Sequence, residues 1–331
     1  MTLSALKNVV SEMSLPLYAA GQIADWLYRK QITTIDEMTN LSAANREHLS
    51  LRYEVGRQLP SETIESTDGA IKYLFPINNG RHLIESVYIP SNERATLCVS
   101  SQVGCKMNCL FCMTGKQGFV AHLTANEMMN QLQSIPQSRA LTNIVFMGMG
   151  EPLDNINELF KVLEILTSPY GFGWSPKRIT VSTIGILPAL RRLLNESSCH
   201  IAVSLHSPYH NERLSLMPVE KAYPAQQIID LLHGYDFTHQ RRVSFEYILF
   251  DGLNDSDLHA KALARLLKGL ECRVNLIRYH TISGVDLRSC PEQKIEHFRN
   301  MLNLLGILST IRTSRGEDIF AACGMLSGGK N

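Results

Sequence analysis

Three cysteines, Cys105, Cys109 and Cys112, fall within eight residues at Cys-x3-Cys-x2-Cys spacing. So short a loop can wrap three thiolates around one centre, and thiolates suit iron–sulfur clusters and zinc. A cubane has four irons, so three protein sulfurs leave one iron open to a non-protein ligand. Zinc would need a fourth ligand, such as His122, or an open catalytic position. Lys106 and Asn108 in the same loop argue against a third reading, three buried structural cysteines in a turn. The cluster is the preferred reading.

The pattern around the loop predicts what positions it. Strands are predicted at 95–101, 143–147, 179–183, 201–206, 243–250, 273–279 and 309–312, with helices at 125–135, 157–166, 226–232, 257–267 and 293–305. Alternating βα units imply a parallel sheet or barrel, and about six of them fall short of the usual eight. Polar residues close nearly every strand: Gly150-Glu151-Pro152, Ser182-Thr183, Ser204-Leu205-His206, Glu246-Tyr247 and His280. In parallel α/β folds the carboxyl ends of the strands face the site, so this recurrence points to one shared pocket. Upstream, runs at 71–75 and 83–89 flank Asn78-Asn79-Gly80 and read as a β-hairpin. Residues 1–55 read as helical, from Ile23, Trp26, Leu27 and from Ile35, Met38, Leu41, with a new helix N-cap at Ser42.

The chain has 331 residues, 44% hydrophobic and 19% charged, enough for a full core and roughly two domains. Lys+Arg total 32 against 31 Asp+Glu, a net charge of +1. That excludes a protein that binds nucleic acid by bulk charge, but neither an RNA nor a small substrate. Basic residues near the expected pocket mouth are scattered: Lys177-Arg178, Arg191-Arg192, Arg241-Arg242, Arg312 and Arg315. No apolar run approaches the ~20 residues of a membrane span. Residues 1–14 lack a signal-peptide core, so a cytoplasmic location is expected. There, eight cysteines suggest metal or redox chemistry rather than a disulfide framework.

The thiol loop, with Phe111 before its last cysteine, resembles the radical S-adenosylmethionine (SAM) superfamily, as does the glycine-rich element Met147-Gly148-Met149-Gly150-Glu151-Pro152. The stretch from Arg94 to Cys105, residues 146–153, Ser204-Leu205-His206, Arg315-Gly316-Glu317-Asp318 and Ala322-Cys323-Gly324 resemble the RlmN/Cfr methyltransferases, which methylate an adenine of RNA. The resemblance extends over essentially the whole chain.

It implies an α/β fold: a partial (βα)6 TIM-type barrel with an N-terminal helical accessory domain (1–55, RNA-binding), a β-hairpin extension (56–94) carrying Glu85, and a radical SAM core (95–331). It implies a 4Fe–4S cluster on Cys105, Cys109 and Cys112, with SAM on the open iron, and two SAM per turnover. The need for such a cofactor is chemical: an adenine ring carbon of amidine type is not a nucleophile, so direct displacement on the sulfonium methyl fails. In the family, the cysteine matched by Cys323 first accepts a methyl group, a radical then activates that methyl, and its carbon adds to the adenine. The cysteine matched by Cys98 attacks Cys323 and releases product, leaving a Cys98–Cys323 disulfide. The glutamate matched by Glu85 removes the ring proton. Matched SAM contacts are Gly150, Glu151, Ser182, Ser204, Leu205 and His206. Where many members read the cofactor's adenine with the last Asn of an Asn-Leu-Ile-Pro-x-Asn run on the sixth strand, this chain has His280. Cys199 and Cys272 read as core thiols and Cys290 as a loop thiol.

The implied reaction is C2 methylation of adenine in 23S rRNA at the peptidyl transferase centre, with transfer RNA beside the anticodon as a second substrate and flavodoxin as electron donor. Methylation at C8 is the alternative within the family. A metal-stabilised RNA-binding protein without turnover is the alternative outside it.

Overall fold

The structure is a computed structural model that describes residues 1–237 and 243–329; Arg241 and Arg242 lie outside the described residues. Its strands are β1 (Glu62–Glu65), β2 (Ile71–Ile77), β3 (His82–Ser91), β4 (Arg94–Cys98), β5 (Gln102–Gly104), β6 (Phe119–His122), β7 (Asn143–Phe146), β8 (Ile179–Thr183), β9 (His200–Ser204), β10 (Val243–Leu249), β11 (Cys272–Arg278) and β12 (Ser309–Ile311). Ten of them form one sheet in the order β1-β2-β3-β4-β7-β8-β9-β10-β11-β12. From β4 to β12 every pairing is parallel. Helices Ala125–Gln133, Ile156–Thr167, Leu187–Glu196, Ala225–His233, Asp257–Leu266 and Glu292–Leu304 cover the crossovers.

The reason is visible in the residues. β10 is buried at all seven positions, as expected of a strand covered on both faces. Helix Ile156–Thr167 buries Leu159, Val162, Leu163 and Leu166, a stripe at helical spacing. Helix Ala125–Gln133 starts on a Thr124/Glu127 capping box. The sheet curls, since Thr96 and Cys98 on β4 line one cavity with Ile277 on β11 and Arg312 just after β12, strands far apart in the sheet order. Among the described residues β1 and β12 do not pair, so the curl stays open, which is a partial barrel.

β2 and β3 form an antiparallel hairpin, and β3 pairs antiparallel with β4, so the hairpin continues the same sheet. In the N-terminal region, helices Leu3–Glu12, Ala19–Ala24 and Ala43–Ser50 form, the second running into a π-helical turn at Asp25–Lys30. Ser42 caps its helix as expected, its side chain accepting from the Asn45 amide. The expected helical run through Leu41 shrinks to one 3-10 turn, Ile35–Glu37. Ile35, Met38 and Leu41 are still buried, because a single turn followed by bends satisfies the same spacing.

Two further features matter for the site. β4 stops at Cys98; the Ser101 and Gln102 amides then donate to the Met149 carbonyl (2.8 and 3.1 Å). β5 and β6 next form a two-stranded ribbon that closes residues 105–118 into a loop. After β12 the chain crosses back to the β1–β2 turn. There Asp318 accepts from the Ser66 hydroxyl and the Thr67 amide (2.6 and 3.0 Å), and Asp68 accepts from the Gly316 amide (2.9 Å). No helix among the described residues is long and apolar enough to cross a membrane.

Candidate active site

The thiol loop is pinned at its base by the Cys105 amide donating to the Gly118 carbonyl (2.9 Å). Gly104 is required there: its φ is +73°, and a Cβ would lie 1.9 Å from the Gly118 oxygen. The Leu110 amide donates to the Leu216 carbonyl (2.9 Å), and the Cys112 amide donates to the Cys109 carbonyl (3.2 Å). None of the three thiols is in a disulfide. Burial pushes the Cys105 thiol up to about 12 and that of Cys109 well above its ordinary value; Cys112 raises both further, and Cys105 also raises Cys109. Three thiolates gathered in a buried loop are therefore costly alone, and a bound cationic cluster removes that cost. The donor set fits a cluster.

The loop forms one wall of a cavity of about 150 Å³ whose other walls are strand ends: Gly150, Glu151, Ser182, Ser204 and His206, with Cys323 from the tail. Glu151 is buried, and its carboxylate accepts from the Thr183 hydroxyl (2.6 Å), the Ile184 amide (3.0 Å) and the Leu153 amide (3.1 Å). Burial pushes its carboxyl up to about 7 against the pull of these donors. A buried carboxyl on a cavity wall, held by neutral donors, suits an ammonium group. His206 accepts the Ile248 amide at Nδ1 (3.0 Å), which leaves the proton on Nε2. Burial lowers its pKa to about 3, so the ring is neutral. Leu205 does not line the cavity; it is buried and fixes the strand end through its amide, which donates to the Glu246 carbonyl (3.0 Å).

A second cavity of about 220 Å³ adjoins the first. It is lined by Cys98, Cys323, Arg312 and His280, and Cys323 lines both. Arg312 is tied to buried Glu246 (3.4 Å), which accepts from Asn275 Nδ2 (2.7 Å). His280 is therefore not brought together with the other cofactor candidates. Both its ring nitrogens are engaged, by Ser314 Oγ (2.9 Å) and the Glu317 carboxylate (3.2 Å), while Ile277 lines both cavities. Glu85 lines neither cavity; it lies under the tail, as described below. Cys199 and Cys272 are buried as expected; Cys290, expected as a loop thiol, is buried too, its Sγ 3.2 Å from Asp255 Oδ2.

Sequence reading missed the residues that brace these walls. Arg213 is fully buried and donates to the carbonyls of Ile184, Ser204 and Leu205 (each 3.1 Å), with Glu220 as counter-ion. Asn254 Nδ2 donates to the His206 carbonyl (2.6 Å), and Gln102 Oε1 accepts the Glu151 amide (2.8 Å). The available signal for Arg213 is a charged residue three positions before Leu216 on the buried face of a short helix. Arg213→Met leaves Glu220 buried without its guanidinium, held by the Ala225 amide (3.0 Å) and by His210 at its edge (2.9 Å). It should cost about 3–5 kcal/mol of folding stability, measured as a lower denaturant midpoint.

Residues 99–263 match the Radical SAM superfamily, and residues 1–55 match the ribosomal RNA large subunit methyltransferase N-terminal domain. The chain is 66% identical over 331 residues to a probable dual-specificity RNA methyltransferase RlmN of Parabacteroides distasonis, covering 100% of this chain and 96% of that protein. It is 40% identical over 328 residues to the dual-specificity RNA methyltransferase RlmN of Syntrophotalea carbinolica, covering 99% and 88%. The crystal structure of a radical SAM methyltransferase from Sphaerobacter thermophilus superposes with a TM-score of 0.93 at 40% identity, covering 99% of this chain and 98% of that one. A 4Fe–4S cluster and SAM serve that chemistry, and the thiol loop and Glu151 have the donor sets for them. The chain belongs to the RlmN family of radical SAM methyltransferases.

Proposed function

We propose that this enzyme methylates C2 of an adenine in RNA, with 23S rRNA at the peptidyl transferase centre as main substrate, transfer RNA beside the anticodon as second, and a flavodoxin-type protein as electron donor. The observation that carries the reading is Cys323, which lines both the cavity with the thiol loop and Glu151 and the cavity with Cys98.

When bound, the cluster on Cys105, Cys109 and Cys112 and the SAM beside it supply methyl groups and the one-electron chemistry that opens a methyl C–H bond. Around them the chain's own groups divide the work. Glu151 takes the ammonium end of SAM; Ser182 and Ser204 offer hydroxyls, and neutral His206 offers a ring N–H. Gly150, with a φ of +96°, lets the backbone turn into the wall. Cys323 accepts a methyl by displacement and carries it to the adenine. Glu85 takes the ring proton. Cys98 attacks the Cys323 sulfur, the carbon–sulfur bond to the product breaks, and the two cysteines are left oxidised as a disulfide. With little net charge, selection of the target rests on RNA shape and a splayed base.

The test is anaerobic reconstitution with iron and sulfide, incubation with ribosomal RNA fragments and reductant, and mass mapping of the modified nucleoside. A brown four-iron protein yielding 2-methyladenosine supports the reading. A methyl at C8 corrects the regiochemistry. A colourless zinc protein that binds RNA without turnover overturns it.

A further inference from the structure

Glu85 is wholly buried, and three donors converge on its carboxylate. The Ser327 and Gly329 amides of the tail approach it at 3.0 and 3.1 Å, and the Lys72 ammonium lies 3.8 Å away. The tail can come so near because Gly328 presses on β3: a Cβ there would sit 2.6 Å from the Leu83 carbonyl oxygen. Lys72 is itself only 2% exposed, on a strand whose neighbours Tyr73, Leu74 and Phe75 are core residues.

The registers place these groups. Lys72 pairs with Val87, and Val87 pairs with Cys98. Residues opposite one another, and those two along, share a face of a sheet. Lys72, Glu85 and Cys98 therefore share one face across β2, β3 and β4, and Cys98 on that face lines the second cavity. The base candidate is one diagonal step from the cysteine that ends the reaction, and the tail that carries Cys323 lies against it.

Burying an ion pair costs several kcal/mol per charge, and an apolar pair of the same volume usually serves a sheet as well or better. A charge pair in this apolar strand is thus explained by chemistry more readily than by folding. The tail amides can leave with the tail; Lys72, on a strand, cannot.

We infer that Lys72 is a positioning residue for proton removal: it holds the Glu85 carboxylate in place on the Cys98 face when the tail withdraws. The inference rests on Glu85 being the base. In that step the proton passes from the adenine ring carbon to a Glu85 oxygen, the C–H electron pair stays with the ring, and Lys72 keeps its own proton.

The test uses the reconstituted holoenzyme as Lys72→Met, Lys72→Arg and Glu85→Gln. Mass spectrometry without RNA reads methyl loading on Cys323, and a denaturing gel with labelled RNA reads the covalent adduct. Lys72→Met should bind iron and load Cys323 like the wild type, yet retain RNA covalently, with product release down about 100-fold. Lys72→Arg should recover most of that loss, and Glu85→Gln should match Lys72→Met. Wild-type release by Lys72→Met, beside retention by Glu85→Gln, overturns the role of Lys72 and leaves the base in place. Failure of Lys72→Met to bind iron or load Cys323 marks a merely structural lysine and also overturns it. Free release by Glu85→Gln removes the base itself, and the Lys72 inference with it.

Discussion

Cys323→Ala is expected to abolish RNA methylation while leaving the protein folded and its iron content unchanged. The residue is exposed, in an irregular segment between Ala321-Ala322 and Gly324, so losing one sulfur removes little packing. Its cost in stability should stay within about 0.5 kcal/mol. The chemical cost is total, because alanine has no nucleophile and Cys323 is the tail residue common to both cysteine-lined cavities with a sulfur to lend. The measurement pairs RNA methyl incorporation with intact-mass analysis of the protein. Wild-type enzyme should carry an added methyl on the tail peptide and the variant none. Residual methylation at even a tenth of the wild-type rate would mean that the methyl reaches RNA without that sulfur.

Cys98→Ala should instead trap the enzyme on its substrate. Cys98 is the last residue of β4, opposite Val87 and Val145, and it faces the Cys323 cavity. Without it, the bond between Cys323 and the RNA has nothing to break it, so protein and RNA should run together on a denaturing gel in near-stoichiometric yield. Burial pushes the Cys98 thiol up to about 12, with the Arg312 charge pulling the other way. The reactive thiolate is then a minor species near neutrality, and wild-type release should quicken as pH rises toward 9. Free turnover by Cys98→Ala would remove the resolving role.

The parallel strands were legible because their residues are locally consistent: short apolar runs, polar carboxyl ends and amphipathic helices between them. All seven strands of the parallel part form within a few residues of their predicted places. The thiol loop was legible because its ligands are contiguous. What stayed hidden depends on long-range encounters. The β5–β6 ribbon pairs two very short segments across the loop, and neither has a periodicity of its own. Arg213 braces three carbonyls on two other strand ends, which no local pattern announces. That Glu85 would be clasped by the tail could not be read from the sequence, because its partners Ser327 and Gly329 donate through their backbones and leave no side-chain signature. His280 follows β11 by two residues, and its place in the neighbouring cavity was hidden for a related reason: Ser314 and Glu317, which engage its ring nitrogens there, come from the tail.

The crossing of the tail over the open side of the sheet gives the proposed turnover a mechanical after-effect. Cys98 is fixed in the sheet, whereas Cys323 rides on the crossing segment, and more than two thirds of the chain lies between them. Joining the two sulfurs would close that length into a covalent hoop and disfavour the unfolded chain by about 5 kcal/mol. The spent enzyme would then be its own most heat-resistant form, and each reduction that rearms it would also soften it.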